Sequence, residues 1–336
     1  MSAEEPLLRV EDLRVHFKQD RGGFVKAVDG ISFDMAPGEV LGIVGESGSG
    51  KSVASMSLLG LVPQPPARIS GRALFRGRDL LALSAAEART IRGRDVAMIF
   101  QDPMTSLNPL LEVSLQLTEG YRAHFGKGAA EARARALDLL SAVGIPAPER
   151  RIDQYPHQFS GGMRQRVMIA MALMCEPGLL IADEPTTALD VTVSAQILDL
   201  LRRINRERRT SIILITHDLG VVAGMAHRVA VMYAGRIVEL GTVRDVLKSP
   251  QHPYTRGLLA SIARIDAPRR ETLRPIGGMP PDLARVPSGC AFHPRCPERV
   301  ARCDRDVPGL IEVRGGHRAA CWLHEAAAAG AGTGAG

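Results

Sequence analysis

A glycine-rich loop that follows a short apolar segment constrains the fold of this chain more than any other feature. Val40–Val44 has the length and composition of a buried strand, and helical periodicity extends from Lys51 to Leu61. The glycine-rich segment, which overlaps the start of the predicted helix, consists of Gly45, Glu46, Ser47, Gly48, Ser49, Gly50, Lys51 and Ser52. The order strand, glycine-rich loop, helix predicts an α/β fold with a phosphate-binding loop, and the alternative is an ordinary glycine-rich turn.

The residue types of this loop suit a nucleotide phosphate. Glycines let backbone N–H groups approach phosphate oxygens, because a Cβ would block that approach, and the N-terminus of the following helix adds partial positive charge. We expect Lys51 to reach the β- and γ-phosphates and Ser52 to bind Mg²⁺.

A second motif places two carboxylates at the end of an apolar strand. Leu179–Ala182 is apolar, and Asp183 and Glu184 follow it directly. We expect Asp183 to hold Mg²⁺, directly or through water, and Glu184 to polarise the attacking water. The alternative is that the pair caps a strand end before Pro185, and the glycine-rich loop upstream weakens that alternative.

Composition indicates a globular protein. The chain has 336 residues, 45% hydrophobic and 23% charged, which suits one large α/β domain with a smaller appendage. No apolar run approaches the roughly 18 residues that span a bilayer, and the first six residues lack the features of a signal peptide, so we expect a cytosolic location. The net charge of +6 could indicate a nucleic-acid partner, but solvated helix faces explain it better, so we expect no nucleic-acid partner. An anionic membrane surface or an anionic nucleotide is compatible with this charge.

Periodicity divides the chain into a core, a helical insertion and a C-terminal extension. The predicted elements are strands at 7–17 and 28–35, a mainly helical stretch from about Ser84 to Cys175 that includes Ala129–Val143, strands at Leu179–Asp183, Ser211–Thr216 and Val229–Tyr233, and a helix at about Val193–Glu207. Their alternation predicts a parallel sheet. Residues 264–320 are rich in Pro, Gly and Arg, which predicts a loop-rich module, and the Ala/Gly run 325–336 predicts a disordered tail.

A third motif lies between the first two and carries a family resemblance. Ser160, Gly161 and Gly162 open a helix, which is again an anion-binding geometry. Followed by Gln165-Arg166, they resemble the signature of the ABC ATPase family, with Phe159 in place of the commoner Leu. The resemblance implies that this signature acts in trans, completing the ATP site of a partner in a head-to-tail dimer.

The same resemblance extends to three further motifs. Gln101 matches the Q-loop, Thr187-Ala188-Leu189-Asp190 matches the D-loop, and His217 matches the switch histidine, which would contact the γ-phosphate and help to position water. The resemblance implies that Gln101 serves both catalysis and Mg²⁺, and that Val53 and Asp190 belong to the nucleotide site. Phe17 is the best match for the aromatic residue that stacks on adenine, Phe24 is a weaker match, and Phe17 could equally be a core residue.

The implied fold is the P-loop NTPase ABC-ATPase fold, with a mixed sheet core and an inserted helical subdomain at about 101–175. The expected domains are a nucleotide-binding domain at 1–255, a cysteine-rich extension at 256–324 and the tail at 325–336.

Three stretches carry a narrower resemblance. Gln101–Pro109, His252-Pro253-Tyr254-Thr255 and the cysteine-rich extension are similar to the ATPase subunits of bacterial dipeptide/oligopeptide importers, over residues 7 to about 324. Importers of nickel and other solutes share this subfamily. The resemblance implies ATP and Mg²⁺ as cofactors, peripheral attachment at the cytoplasmic face of the inner membrane, and docking of a membrane permease near Gln101. It also implies a second ATPase subunit, a paralogue or a second copy, and an indirect solute-binding partner.

The extension contains four cysteines with the spacing C-x₅-C-x₆-C-x₁₇-C: Cys290, Cys296, Cys303 and Cys321. A cytosolic location argues against disulfides. The gaps match neither zinc ribbons nor a ferredoxin run, so zinc, an iron–sulfur cluster and unligated thiols all stay open from spacing alone. Pro297 and the family resemblance favour a [4Fe–4S] cluster. Cys175 stands apart and is most simply a small buried hydrophobe.

Two rival function classes share these core motifs. A soluble ABC ATPase of DNA repair or translation usually has long coiled-coil insertions or two fused cassettes, and this sequence has one cassette without sustained heptads. A non-catalytic regulatory cassette would be expected to lack Glu184 or His217, and both residues are present. The motifs therefore favour an ATP-hydrolysing transport subunit.

Overall fold

The computed structural model describes residues 5–20, 22–102, 106–187, 189–261 and 276–324. Three predicted features lie outside them: Pro103–Thr105 of the motif after the Q-loop, Ala188 of the D-loop, and the tail 325–336. The chain forms two compact units. Unit 1 contains Met1–Leu7, Met35–Val40 and Ala82–Thr216, and unit 2 contains Leu8–Asp34, Leu41–Leu81 and His217–Gly336.

Regular elements fill most of the described chain. The strands are β1 (Leu8–Lys18), β2 (Phe24–Met35), β3 (Val40–Val44), β4 (Ala67–Phe75), β5 (Arg78–Asp79), β6 (Val96–Ile99), β7 (Leu179–Asp183), β8 (Ser211–Ile215), β9 (Arg228–Tyr233), β10 (Arg236–Thr242), β11 (Ile311–Arg314) and β12 (His317–Ala319). The helices are α1 (Lys51–Leu58), α2 (Ala85–Ile91), α3 (Val113–Phe125), α4 (Ala129–Ala142), α5 (Pro148–Arg151), α6 (Gly161–Leu173), α7 (Val191–Arg208), α8 (Leu219–Met225), α9 (Val243–Lys248) and α10 (Pro253–Ala260).

Unit 1 is built on three parallel strands in the order β8-β7-β6. Ile181 of β7 lies opposite Met98 of β6 and Ile213 of β8, and every residue of the three strands is buried. Continuous apolar strands of this kind suit a parallel sheet that is covered on both faces. The parallel register aligns the carboxyl ends of the strands at one edge, where the chain continues to Gln101 and Glu184.

Unit 1 also contains a group of packed helices. Helices α3, α4 and α6 contact one another and bury small and aliphatic side chains such as Leu117, Ala136 and Val167. Gly126 and Gly144 follow α3 and α4 with φ of 64° and 79°, a conformation that favours glycine and ends a helix. These packed helices lie within residues 101–175, where the sequence predicts a helical subdomain.

Unit 2 contains two sheets. One has the strand order β2-β1-β4-β5. In the other, β3 pairs in parallel with β9, and β9, β10, β12 and β11 follow in antiparallel order. Parallel and antiparallel pairs in one sheet confirm the expected mixed sheet.

The C-terminal segment is part of this second sheet. Strand β12 pairs with β10, where Glu239 lies opposite Ala319. The Glu239 side chain is fully buried; it lies 2.7 Å from His317 Nε2 and accepts hydrogen bonds from the backbone N–H groups of Gln251 and His252. A buried carboxylate requires such partners, so this network fixes the C-terminal segment to the core strand β10. No helix within the described ranges is both long and apolar enough to cross a membrane.

Candidate functional site

The glycine-rich loop of unit 2 connects β3 to α1. Gly45 has a φ of 154°, and a Cβ there would lie 2.2 Å from the carbonyl oxygen of Met232. Gly50 has a φ of 98°, and its Cβ would lie 2.1 Å from the carbonyl oxygen of Ala27. Both positions therefore require glycine for conformation and for space. Ser47 and Gly48 form the exposed tip of the loop, and Ser49 is buried.

Lys51 turns back over this loop. Its ammonium donates hydrogen bonds to the carbonyl oxygens of Gly45 at 2.8 Å and Glu46 at 3.0 Å, and to Ser49 Oγ at 3.3 Å. The Lys51 residue is only 6% exposed, so its positive charge is held in the loop. Ser52 and Val53 follow in the first turn of α1 and are half-buried. The predicted phosphate-binding residues are therefore one continuous structure.

The carboxyl edge of the unit 1 sheet carries the predicted catalytic carboxylates. Asp183 ends β7 and is 4% exposed. Glu184 follows with a φ of 46°, the left-handed region that few non-glycine residues adopt, and its N–H donates to the carbonyl oxygen of Ile215 at 2.9 Å. Such strain is common at functional residues, where surrounding contacts maintain it.

Two side chains hold the Glu184 carboxylate. Glu184 Oε2 accepts hydrogen bonds from Gln101 Nε2 at 3.0 Å and from Thr187 Oγ1 at 2.8 Å. The structure therefore brings together Gln101 and Glu184, which the sequence singles out separately. Sequence reasoning missed the contribution of Thr187, which it names only as part of the D-loop.

The signature residues lie at the start of α6. Ser160 is the N-cap residue, and its Oγ accepts a hydrogen bond from the N–H of Met163 at 3.3 Å. A Cβ on Gly161 would meet no described atom within 4 Å, whereas one on Gly162 would lie 2.9 Å from Val193 Cγ1. A cavity of about 370 Å³ opens here, lined by Ser160, Gly161, Gly162, Met163, Arg166, Leu189, Asp190 and Val193.

Asp190 caps its own helix, and Gln165 joins two segments of unit 1. Asp190 is the N-cap of α7, and its carboxylate accepts a hydrogen bond from the N–H of Val193 at 2.9 Å. The buried Gln165 donates from Nε2 to the carbonyl oxygen of Pro185 at 2.8 Å, which ties the signature helix to the loop after Glu184. The predicted signature helix is thus linked to the loop that carries Glu184.

The remaining nucleotide-site candidates belong to unit 2. His217 is exposed, and the following Asp218 caps α8. Phe17 is half-buried in β1, opposite Ala67 of β4. Phe24 lies against His16, with ring centroids 6.4 Å apart, and beneath the Arg68 guanidinium at 5.0 Å. Because a cation already occupies one face of Phe24, Phe17 stays the better candidate for adenine.

The four cysteines of the extension are free thiols, as is Cys175. Backbone N–H groups of Phe292, Glu298 and Leu323, each two residues downstream, hydrogen-bond to Cys290, Cys296 and Cys321 respectively. Burial raises the pKa of Cys290 to about 11. Cys175 is half-buried, and burial raises its pKa as well.

The expected metal at these cysteines is not confirmed. Among the residues that the structure describes, no group of three or more His, Cys, Asp or Glu side chains could hold a metal ion. The thiols are therefore not arranged around the position of one ion, as a structural zinc site requires.

Arg295 is a site residue that sequence reasoning missed entirely. It contacts Glu46 of the glycine-rich loop although the two are 249 positions apart. No spacing signal connects residues at that separation, since only the paired strands and packed segments of unit 2 bring them together.

Comparisons with known proteins agree with this geometry. A model of the ABC transporter family matches residues 28–187, and one described as the oligopeptide/dipeptide transporter C-terminal region matches residues 238–303. The dipeptide transport ATP-binding protein DppD of Bacillus subtilis is 56% identical over 322 residues, covering 96% of each chain. The oligopeptide transport ATP-binding protein OppD of Escherichia coli is 52% identical, covering 95% of this chain and 93% of its own.

Solved structures show the same fold. A dimeric ATP-binding cassette in a post-hydrolysis state, bound to ADP and Pi, is 27% identical with a TM-score of 0.63, covering 70% of this chain and 99% of its own. The cassette cbiO1 of Clostridium perfringens is 31% identical with a TM-score of 0.61, covering 73% and 92%. With nearly full-length relatives above 50% identity and an intact set of motifs, this chain belongs to the ABC transporter family of ATP-binding proteins.

Proposed function

We propose that this chain is the ATP-binding and ATP-hydrolysing subunit of an importer of dipeptides or oligopeptides. The relatives named for dipeptide and oligopeptide transport extend over almost the whole chain, including its C-terminal segment, which supports this substrate class. The observation that supports ATP hydrolysis is the position of the Glu184 carboxylate, which Gln101 and Thr187 hold at the carboxyl edge of the unit 1 sheet.

Each motif residue has a role in this proposal. Lys51 and the N–H groups of the loop bind the phosphates, while Ser52, Gln101 and Asp183 hold Mg²⁺. Glu184 orients and polarises the attacking water, and His217 contacts the γ-phosphate. Phe17 stacks on adenine.

In this proposal a second ATPase subunit completes each ATP site. Ser160, Gly161 and Gly162 line an open cavity, and they bind the nucleotide held by a partner ATPase, which is a paralogue or a second copy of this chain. The solved dimeric cassette supports a dimeric arrangement. The permease subunits dock near Gln101, so that closure of the ATPase dimer on ATP moves the membrane subunits at the cytoplasmic face.

The test uses the complete importer. Wild-type subunit, permease and partner ATPase in proteoliposomes should hydrolyse ATP and take up labelled dipeptide, and Glu184→Gln should abolish both while ATP still binds. Glu207→Gln, a matched change at an exposed position of α7, should behave like the wild type. Unchanged hydrolysis by Glu184→Gln would remove the role assigned to Glu184, and uptake of Ni²⁺ instead of peptide would change the substrate class.

For the C-terminal extension the proposal is a [4Fe–4S] cluster bound by Cys290, Cys296, Cys303 and Cys321. Support comes from the four thiols being close enough to affect one another electrostatically and from all four accepting backbone N–H groups, which stabilise thiolate ligands. A four-iron cluster also separates its ligand sulfurs more widely than a single zinc ion does. Anaerobically purified protein should absorb near about 400 nm. Stoichiometric zinc without iron would support the alternative metal.

A further inference from the structure

The carboxylate of Glu46, inside the glycine-rich loop, forms a two-pronged ion pair with Arg295 of the C-terminal segment. Arg295 Nη1 lies 2.7 Å from Glu46 Oε2, and Arg295 Nη2 lies 2.9 Å from Glu46 Oε1. The side chain of Arg295 is 5% exposed and that of Glu46 is 26% exposed. Two parallel, charge-assisted hydrogen bonds with so little solvent form one of the stronger kinds of ion pair.

The rest of the C-terminal segment fixes the position of the guanidinium. Arg295 Nε donates to the carbonyl oxygen of Gly277 at 2.9 Å, and Nη2 donates to that of Ile276 at 3.4 Å. The guanidinium also lies 5.8 Å from the centre of the Tyr233 ring. With every nitrogen of its side chain engaged, Arg295 cannot follow Glu46 if the loop moves. The hydrogen bonds to Glu46 raise the pKa of Arg295, which is therefore charged at any physiological pH.

The backbone of Glu46 is anchored from the same side. Its N–H donates to the Tyr254 hydroxyl at 2.9 Å, and Tyr254 is completely buried. The Tyr254 ring packs against those of Tyr233 and Phe292, with centroids 4.6 Å and 5.4 Å away. Side chain and backbone of one loop residue are thus both held by residues more than 200 positions further along the chain.

The loop's charge explains why this contact matters. Lys51 is the cation that faces the phosphates, and Glu46 is the carboxylate of the same loop. A nucleoside triphosphate brings about three to four negative charges to the loop, so an unpaired carboxylate there would oppose its binding. With Arg295 in place, the Glu46 charge is neutralised.

We propose that Arg295 is a positioning residue for nucleotide binding, which neutralises and holds Glu46 so that the glycine-rich loop accepts the phosphates. This inference rests on the proposed function, in which that loop binds ATP. Arg295 ends the one-turn helix His293–Arg295, and Cys296 follows it directly. The C-terminal segment thereby contributes to nucleotide affinity through Arg295.

The test is a double-mutant cycle on the purified full-length chain, in which calorimetry measures the binding of MgATP. Arg295→Met removes the charge and retains an unbranched side chain. It should raise the Kd for MgATP by about 5- to 20-fold, because the Glu46 charge is then unpaired beside the phosphates. Glu46→Gln in the Arg295→Met background should restore the Kd to within about twofold of the wild type, because the unpaired charge is gone.

Three further variants separate the outcomes. Arg256→Met breaks the exposed ion pair between Arg256 and Glu298 in the same region and should leave the Kd unchanged. Lys51→Ala should abolish binding; if it does not, the proposed function of the loop fails, and not only the role of Arg295. If Arg295→Met does not fold, as shown by its melting temperature without nucleotide, Arg295→Lys retains the charge with a single prong and should give a smaller increase in Kd.

Two results would overturn the proposal. One is a Kd of Arg295→Met, or of Arg295→Lys where Met does not fold, that equals the wild-type value. The other is an equally weakened Kd with and without Glu46→Gln, because that would show a structural role that is independent of the carboxylate.

Discussion

The side-chain amide of Gln101 donates a hydrogen bond to the carboxylate of Glu184, with 3.0 Å between Gln101 Nε2 and Glu184 Oε2. The same oxygen accepts the Thr187 hydroxyl at 2.8 Å. Gln101 follows β6, and Glu184 and Thr187 follow β7, so adjacent parallel strands supply all three residues. The proposed catalytic carboxylate is therefore held by one donor from its own loop and one from the loop after the adjacent strand.

The first prediction concerns Thr187. Thr187→Val keeps the side-chain shape and removes the hydroxyl that holds Glu184, so the carboxylate should spend less time in position. A hydrogen bond to a charged group contributes about 1.5–3 kcal/mol, and we expect kcat of the assembled importer to fall by roughly 10- to 150-fold with little change in KM. Thr187→Ser, which retains the hydroxyl, should lose much less. An increase in KM with an unchanged kcat would instead assign Thr187 to substrate binding.

The second prediction compares two glycines of the same loop. Gly45→Ala places a Cβ 2.2 Å from the Met232 carbonyl oxygen, so the loop must shift and MgATP binding should be lost. At Gly48 a Cβ would meet no described atom within 4 Å, and φ is +77°. Gly48→Ala should therefore cost only the backbone strain, about 1–2 kcal/mol, and retain binding. Melting temperatures and calorimetric titration of both variants measure this, and equal damage would show that steric contact does not decide.

Local sequence patterns predicted the core elements well. The strands Val40–Val44 and Leu179–Asp183 form at the predicted residues, because short apolar runs that end in functional loops are typical of buried parallel strands. Helix α1 is shorter than predicted: it ends at Leu58, and Gly60 follows with a φ of 59°. A glycine in that conformation ends a helix even where apolar periodicity continues.

Long-range contacts were beyond these patterns. The C-terminal segment has weak periodicity, so its short strands β11 and β12 were not predicted, although β12 pairs with β10. The contact between Arg295 and Glu46 depends on that pairing and on the packing around Tyr254, which no local pattern encodes. The left-handed backbone of Glu184 was also unpredictable, because it is imposed by tertiary contacts.

The third prediction concerns the buried carboxylate between core and C-terminal segment. Glu239→Ala leaves two backbone N–H groups and His317 without their acceptor in a fully buried place. Each buried donor that is left without an acceptor costs about 1–3 kcal/mol, so we expect a loss of about 3 kcal/mol or more in the free energy of unfolding in urea. The control is Glu312→Ala at an exposed position of β11, which should cost less than about 1 kcal/mol. A small loss for Glu239→Ala would mean that water replaces the missing acceptor.

The last prediction concerns acid stability. His252 is 1% exposed, and burial, with smaller contributions from Arg256 and His324, lowers its pKa to about 3. Between its unfolded value near 6.5 and pH 3, the unfolded chain binds a proton that the folded chain does not, so stability must fall as pH decreases through this range. The contribution is about 1.4 kcal/mol per pH unit below 6.5, or about 2 kcal/mol at pH 5.

The neutral ring of His252 has a defined task, since its Nδ1 accepts the N–H of Tyr254 at 3.0 Å at the start of α10. An asparagine can accept the same N–H and does not titrate. Urea unfolding of the wild type and of His252→Asn from pH 7 to pH 5 should therefore show a shallower pH dependence in the variant, by about 2 kcal/mol over the range. Parallel curves would place the acid sensitivity of the fold in other groups and would mean that His252 accepts its proton without unfolding.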